Sequence, residues 1–526
     1  MKKKLLSLFL VGVMALGLLA GCGGNAGNSE NKGSENKGTE NAGNSEEDGY
    51  STTIDMEEEA YTVAIQVVTL PGSDFSAYEA DMEAAINEIT LPAINCKVDI
   101  QFVWISEINK TTQMGVAGNE KLDLIHVATV QRISSVVGSD LLLDLNEGNL
   151  LKNRGPKLVE IFKDTLGAGY VNGQQLAVPA KIYTANARGI CYNKTMADKL
   201  GITVPEKITF DELDTILNEV SKKAPADVNA YYTGSGELNY LYWLQAYDSF
   251  GSEASYGVIL DVEKDPTVVN LYETQMFKDY CLRTWKWTQN GVQPGDSTDS
   301  STAQDYFNAG KLFCTVGTIS PEQNTTTAST AGAAGIECGW ATIVDPVVTN
   351  SDITEYMWGI ASNSERPDKA MDFLNFLYSN AEVANILKYG IKDTNYFFVE
   401  GSDKIIFPNG EKLYLPLFYQ GGNNLDMLIQ APANEAYMQE LVEFQNSATI
   451  SPIAGYLFND ADYQTESSVI YTTILEYLPT LQNGMCESEA ATLEYIDEFV
   501  AKLKANGIDD VIAANQAQLD AYLAEQ

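Results

Sequence analysis

The chain has 526 residues, 45% hydrophobic and 10% aromatic, enough for two or three domains with proper cores. With 72 acidic against 33 basic residues the formal net charge is −39, which repels nucleic acid and anionic membranes and argues against an anionic ligand. A single histidine, His126, excludes multi-histidine metal centres and makes any catalytic triad depend on a residue inside an apolar strand, where a core or hinge role is expected.

The N-terminus reads as an export signal. Lys2, Lys3 and Lys4 form a positive start, and Leu5 to Leu18 is an apolar run too short for a permanent membrane helix. Leu19-Ala20-Gly21-Cys22 then sets small residues directly before a cysteine, the arrangement of a lipoprotein cleavage box. Residues 1–21 are therefore expected to be a cleaved signal peptide. The Cys22 thiol would carry a diacylglyceryl group, and two or three acyl chains such as palmitate, at about 0.8 kcal/mol per buried CH₂, would anchor the mature protein. No later segment approaches twenty apolar residues, so the expected location is the extracellular face of the cell membrane, lipid-anchored without crossing it.

Gly23 to Asp48 is a Gly/Asn/Ser/Glu tract with near-repeats of Glu-Asn-Lys-Gly that cannot bury a core. Residues 22–59 read as a polar tether averaging roughly 30–35 Å end to end. Folding signals begin at Tyr61. Tyr61 to Val68 reads as a strand, Asp74 to Ile89 as a helix, and Lys97 to Trp104 and Lys121 to Ala128 as two further strands. Strands alternating with helices imply an α/β fold with a mostly parallel sheet. Gln175 to Pro179 is a short strand, Gly189 to Asn193 a strand leading into a helix that ends near Gly201, and Thr209 caps a further helix. Asp227 to Ser320 is rich in Tyr and Trp. Pro367 opens a helix with Ala370, Phe373, Leu374 and Leu377 on one face, and two amphipathic helices close the chain, one ending near Gly507. Beyond Cys22 lie Cys96, Cys191, Cys281, Cys314, Cys338 and Cys486, widely spaced and without a CxxC. They allow three disulfides in fifteen connectivities, but their apolar neighbours favour buried free thiols.

Several segments, in order and spacing, resemble the extracellular solute-binding lipoproteins of ABC importers, of the carbohydrate-uptake type in a Firmicutes-like subgroup with a C-terminal extension. Gln175-Leu-Ala-Val-Pro179 is similar to the strand that crosses between their lobes, and Gly189-Ile-Cys-Tyr-Asn-Lys194 with Lys199-Leu-Gly-Ile-Thr203 to their strand–helix–Gly-Ile unit. Asp305-Tyr-Phe-Asn-Ala-Gly-Lys311 resembles the turn before their second crossover, and Lys369 to Tyr378 with Tyr389-Gly-Ile391 the helix and turn near the cleft. Ile453 to Phe458 and Val511 to Leu519 resemble the extension. One departure is that Gly390-Ile-Lys-Asp-Thr-Asn-Tyr396 lacks the His often found in this turn.

The resemblance implies a two-lobed, periplasmic-binding-protein-like (type II-like) α/β fold with a hinge and a mostly helical C-terminal extension. It divides the chain into residues 60–179 as the first part of lobe 1 and 180–345 as the main part of lobe 2. Residues 346–400 would be a return segment with a cleft-lining helix, and 401–526 an extension packing on the lobes. Crossovers are expected near Val178-Pro179 and within Ser320 to Pro346. Such a receptor is non-enzymatic, needs no cofactor or metal, works as a monomer, and closes on a solute that it hands to permease subunits. An oligosaccharide is the expected cargo, with a peptide or other organic solute as the alternative. A surface glycosidase is the distant one, since 72 carboxylates guarantee chance pairs but no local motif proposes an acid and its partner.

Sugar sites combine aromatic platforms with planar hydrogen-bonding groups, and open α/β sheets place ligands at strand ends. Pro71 follows the first strand as a cleft lining or a plain turn. Asp123 lies in the third strand as ligand or buried structure. Tyr183 and Arg188 follow the first crossover, Arg188 as a ligand contact or a salt bridge. Tyr240 and Trp243 share a helix face as platform or core. Trp340 and Trp358 stand next to Gly339 and Gly359, Tyr396 ends the altered turn, and Asn423 sits in a Gly-rich loop.

Overall fold

The computed structural model describes residues 49–69, 77–128, 131, 133, 136, 139–171, 173–232, 248–261, 264–294, 302–354, 356–407 and 422–525. The residues read as signal peptide and tether up to residue 48, Cys22 among them, and Pro71, Tyr240 and Trp243 lie outside them.

Lobe 1 begins with β1 (Tyr61–Thr69), whose Val63, Ala64, Ile65, Val67 and Val68 are all fully buried, as a strand covered on both faces requires. After α1 (Glu79–Ile94) the chain turns at Asn95 in the left-handed conformation and enters β2 (Cys96–Trp104), parallel to β1 from Tyr61↔Cys96 to Thr69↔Trp104. Next come α2 (Ile108–Ala117) and β3 (Leu124–Ala128), the latter parallel to β1 on its other side, and the lobe is left through β4 (Val178–Pro179).

Lobe 2 opens with β5 (Asn186–Asn193) and α3 (Lys194–Leu200), stopped by Gly201 at φ 63°. α4 (Phe210–Lys223) starts with a full capping box between Thr209 and Glu212. α5 (Gln275–Gln289), α6 (Ala303–Asn308), β6 (Cys314–Ile319), α7 (Pro321–Ala333) and β7 (Cys338–Val348) follow. Ser320 to Pro346, where sequence reasoning sought a second crossover, supplies α7 and most of β7 to this lobe. The chain returns to lobe 1 through α8 (Asn350–Thr354) and β8 (Tyr356–Ile360), then builds α9 (Pro367–Leu377) and α10 (Ala381–Tyr389) there. It comes back once more through α11 (Tyr437–Asn446) and β9 (Thr449–Ile450), and ends in α12 (Gln464–Gln482), α13 (Glu489–Ala505) and α14 (Ile508–Glu525).

The two larger sheets run β2-β1-β3-β8-β4 and β6-β5-β7-β9. Both are more mixed than the expected parallel pattern: β8 is antiparallel to β3, and β5 is antiparallel to both β6 and β7. β6 and β7 do run in the same direction and are joined through α7. The strand from the first crossover slots between them, which strand–helix alternation along the chain does not reveal.

α12 is a third C-terminal helix where only two were expected. Its β-branched stretch from Val469 to Ile474 and its internal Pro479 mask the period, yet Ile470, Ile474, Tyr477, Leu478 and Leu481 are buried on one stripe. These side chains enter the lobe 2 core with Phe277, Cys281 and Trp287 of α5. The Phe499 ring of α13 lies 4.8 Å from Tyr272 and 5.1 Å from Tyr477. At about 1.5–3 kcal/mol per buried large apolar side chain, the terminal helices are structural parts of lobe 2. Among the described residues no helix is long and apolar enough to cross a membrane.

Candidate functional site

Among the described residues, three chain segments pass between the lobes and meet at one polar hinge. Thr184 and Ala185 of the first crossover both donate their backbone N–H to Gln445 Oε1 of α11, each at 2.8 Å. Their buried amides would otherwise be unsatisfied where the chain belongs to neither sheet. In the second crossover Asp352 accepts from the Thr349 N–H at 2.8 Å and its hydroxyl at 2.7 Å, and from Asn186 Nδ2 at 2.8 Å, with the Arg188 guanidinium 3.8 Å away. The third segment pairs β9 with Val347 and Val348 of β7. Asn350 binds it on both ends of its amide, donating to the Tyr456 carbonyl at 2.5 Å and accepting from the Gly455 N–H at 2.8 Å. Gly455, at φ 97°, touches lobe 1: a Cβ there would stand 2.8 Å from the Ala168 nitrogen.

Asp248 is fully buried at this junction, accepting from the Asn350 N–H at 2.5 Å and the Ser451 hydroxyl at 2.6 Å. Burial pushes its pKa up from 3.8 to about 6, against the pull of those two hydrogen bonds. The native state thus takes up a proton more readily than the unfolded chain, and this carboxyl lowers stability as pH rises from about 4 to about 6, by about 3 kcal/mol in all. Asp248→Asn is expected to remove that part of the pH dependence and to be no less stable than the parent above pH 6. Urea midpoints of both proteins at pH 4, 5, 6 and 7 measure it, and an unchanged difference across that range would refute the assignment.

Beside the hinge, lobe 2 touches lobe 1 through α7. Glu322 in its first turn faces Lys181 of the first crossover at 3.4 Å and Lys388 of α10 at 3.3 Å. Farther along the helix, Ser329 Oγ accepts from Gln430 Nε2 at 3.2 Å. None of these residues stands out in the sequence. The only local signal is Ser320-Pro321-Glu322, a cap and first-turn proline that start a helix directly after β6.

The predicted ligand residues fall into three groups. Tyr183, Arg188 and Asn423 come to the hinge side. Tyr183 is half-buried with its pKa raised by burial and by Asp426, and Asn423 Nδ2 donates to that same Asp426 at 2.8 Å. Arg188 reaches Asp352 through Nη2 at 3.8 Å, while its Nη1 is buried without a hydrogen-bond partner. Trp340 is half-buried in β7, opposite Cys191 of β5. Asp123, Trp358 and Tyr396 are packed inside lobe 1. Asp123 accepts from Tyr61 Oη at 3.0 Å, the Ala64 N–H at 2.9 Å and Ser364 Oγ at 2.5 Å. It precedes β3 and so lies at the amino end of that strand. Trp358 is fully buried in β8 with its ring 4.7 Å from His126, and Tyr396 packs edge-on against Tyr389 at 6.2 Å.

His126 is fully buried, and desolvation lowers its pKa to about 3, so it stays neutral within the lobe 1 sheet. The six cysteines from Cys96 to Cys486 are free, and burial pushes the Cys96 thiol up to about 12. Among the described residues no group of three His, Cys, Asp or Glu side chains is placed to hold a metal. The arrangement is two sheet-centred lobes joined at a polar hinge, a construction suited to enclosing a ligand by rotation.

Comparisons with known proteins agree with this geometry. The family model described as bacterial extracellular solute-binding protein matches residues 76–384, and one described as a domain of unknown function (DUF3502) matches residues 452–524. A carbohydrate ABC transporter substrate-binding protein of Streptococcus pneumoniae serotype 4 is 26% identical over 451 residues, covering 84% of this chain and 88% of that protein. The crystal structure of an N-glycan transport solute binding protein from Streptococcus pneumoniae superposes with a TM-score of 0.75 at 22% identity, covering 88% of this chain and 99% of that one. The same protein in complex with Man5GlcNAc gives a TM-score of 0.67 at 22% identity, with 88% and 99% covered. This likeness shows the two-lobed fold.

Proposed function

Because the chain belongs to the bacterial extracellular solute-binding protein family, we propose that it captures an oligosaccharide between its lobes and delivers it to the permease of an ABC importer. The observation that carries the sugar reading is the pneumococcal carbohydrate-transport relative, aligned along 84% of the chain. The hinge supports the mode of capture: a ligand touching both lobes stabilises the closed arrangement by its higher affinity for it. Of the residues predicted from sequence, Tyr183, Trp340 and Asn423 keep exposed surface and are proposed as ligand contacts. Pro71, Tyr240 and Trp243 remain proposed contacts outside the described residues. Cys22 is proposed as the lipidated residue that holds the monomeric receptor at the outer face of the cell membrane.

Thermal unfolding across a panel of mannose- and N-acetylglucosamine-containing glycans, malto- and xylo-oligosaccharides, and peptides tests this reading. A cargo sugar at about a hundred times its Kd stabilises by about 2.7 kcal/mol, a shift of several degrees in Tm. We expect such a shift with at least one glycan and no hydrolysis of chromogenic glycosides. A shift with peptides and silence across all sugars would overturn the carbohydrate assignment.

A further inference from the structure

The contact between α7 and α10 has a charge arrangement that sugar capture alone does not call for. Glu322 on lobe 2, Lys181 on the first crossover and Lys388 on lobe 1 have side chains only 14%, 13% and 9% exposed. The Lys388 ammonium lies 5.3 Å from the centre of the Tyr389 ring. The buried hydroxyl of Tyr437 on α11 is close enough to Glu322 for that carboxylate to raise its pKa further. Burial disfavours ionised Glu322, but the two ammonium groups outweigh it and hold its pKa at about 2. An exposed pair would be worth little. Here the removal of one carboxylate leaves two desolvated cations facing each other, which is strongly unfavourable.

The three groups belong to bodies that move differently. Glu322 sits on lobe 2 and Lys388 on lobe 1, so a rotation about the crossovers would separate them, while Lys181 lies on the first crossover itself. We propose that Glu322 is a positioning residue for cargo capture: with Lys388 and Lys181 it forms an ionic latch that sets the angle between the lobes. The latch is independent of which solute is bound and is read in the ligand-free protein, so it stands or falls separately from the sugar assignment. A merely local role is also defined. As an acidic residue in the first turn of α7, Glu322 favours the helix dipole, and that role ends within its own helix.

Hydrogen exchange and small-angle X-ray scattering on the ligand-free chain separate the two roles, comparing the parent with Glu322→Gln, Lys388→Met and the double variant. Loss of the latch is expected to speed amide exchange about tenfold or more in both α7 and α10 and to raise the radius of gyration. The double variant still lacks the latch, so its radius of gyration is expected to stay raised, but exchange in α10 is expected to fall short of the sum of the two single effects because no unpaired cation is left there. Faster exchange confined to α7, unchanged exchange and scattering, or losses that simply add in the double variant would each overturn the latch. If Glu322→Gln does not fold, Lys388→Met alone reads the contact from lobe 1: faster exchange in α7 supports the latch, and unchanged α7 refutes it.

Discussion

Arg154→Ala is expected to destabilise lobe 1 by about 3–5 kcal/mol, because it strands the Asp372 carboxylate in the core. Both side chains are almost fully buried, 5% and 2% exposed, and the guanidinium is their mutual link. It also donates to the carbonyls of Ser51 at 3.2 Å and Thr53 at 2.7 Å, so it fastens the first described residues to the lobe. Lys369, fully buried, and Arg366 continue that attachment by pairing with Glu58 at 2.8 and 3.0 Å. Denaturant unfolding monitored by tryptophan fluorescence would show the loss. Arg154→Ala combined with Asp372→Leu should recover part of it, since no buried charge is then left alone. An Arg154→Ala midpoint within error of the parent would contradict the assignment.

Cys22→Ala is expected to abolish incorporation of a fatty-acid analogue during growth and to remove the protein from the lipid-anchored fraction. At about 0.8 kcal/mol per buried CH₂, two or three acyl chains on the proposed lipidation site would hold the receptor far more firmly than any surface charge could, and a chain of net charge −39 gains nothing from an anionic membrane. Metabolic labelling followed by gel fluorescence reads the result directly. Undiminished labelling of the Cys22→Ala chain would end the proposal. Because residue 22 is far in sequence from the lobes, the thermal shift with a cargo glycan should be the same in both forms.

Among the described residues, Tyr50 to Glu58 bond to lobe 1, and under the proposed mode of capture lobe 2 would be the body that rotates. Its freedom is restricted at Asn350, whose amide ties the second crossover to Gly455 and Tyr456, and at the contact of Gly455 with Ala168. The chain matched by the domain of unknown function therefore starts at the hinge before its helices complete the lobe 2 core.

Much of this molecule is decided by local chemistry and was legible in the residues alone. The β-branched, largely apolar stretch Tyr61 to Val68, ended by Leu70-Pro71-Gly72, reads as a strand from the residues alone. Thr209 with Glu212, Asn193 before α3, Gly201 after it, and Pro367 at the start of α9 mark helix ends through hydrogen bonds and φ preferences within a few residues. One histidine among 526 residues settled the question of multi-histidine metal chemistry. The tertiary structure decided what depends on distant partners: that β5 lies between β6 and β7, that Asp123 and Trp358 face inward, and that α12 is a helix despite its β-branched stretch. Lys181, Glu322 and Lys388 show the reason most clearly. They are three of 105 charged side chains with nothing local to single them out, and only the tertiary approach of α7 to Lys388 of α10 and Lys181 of the first crossover brings their charges together and shields them from water.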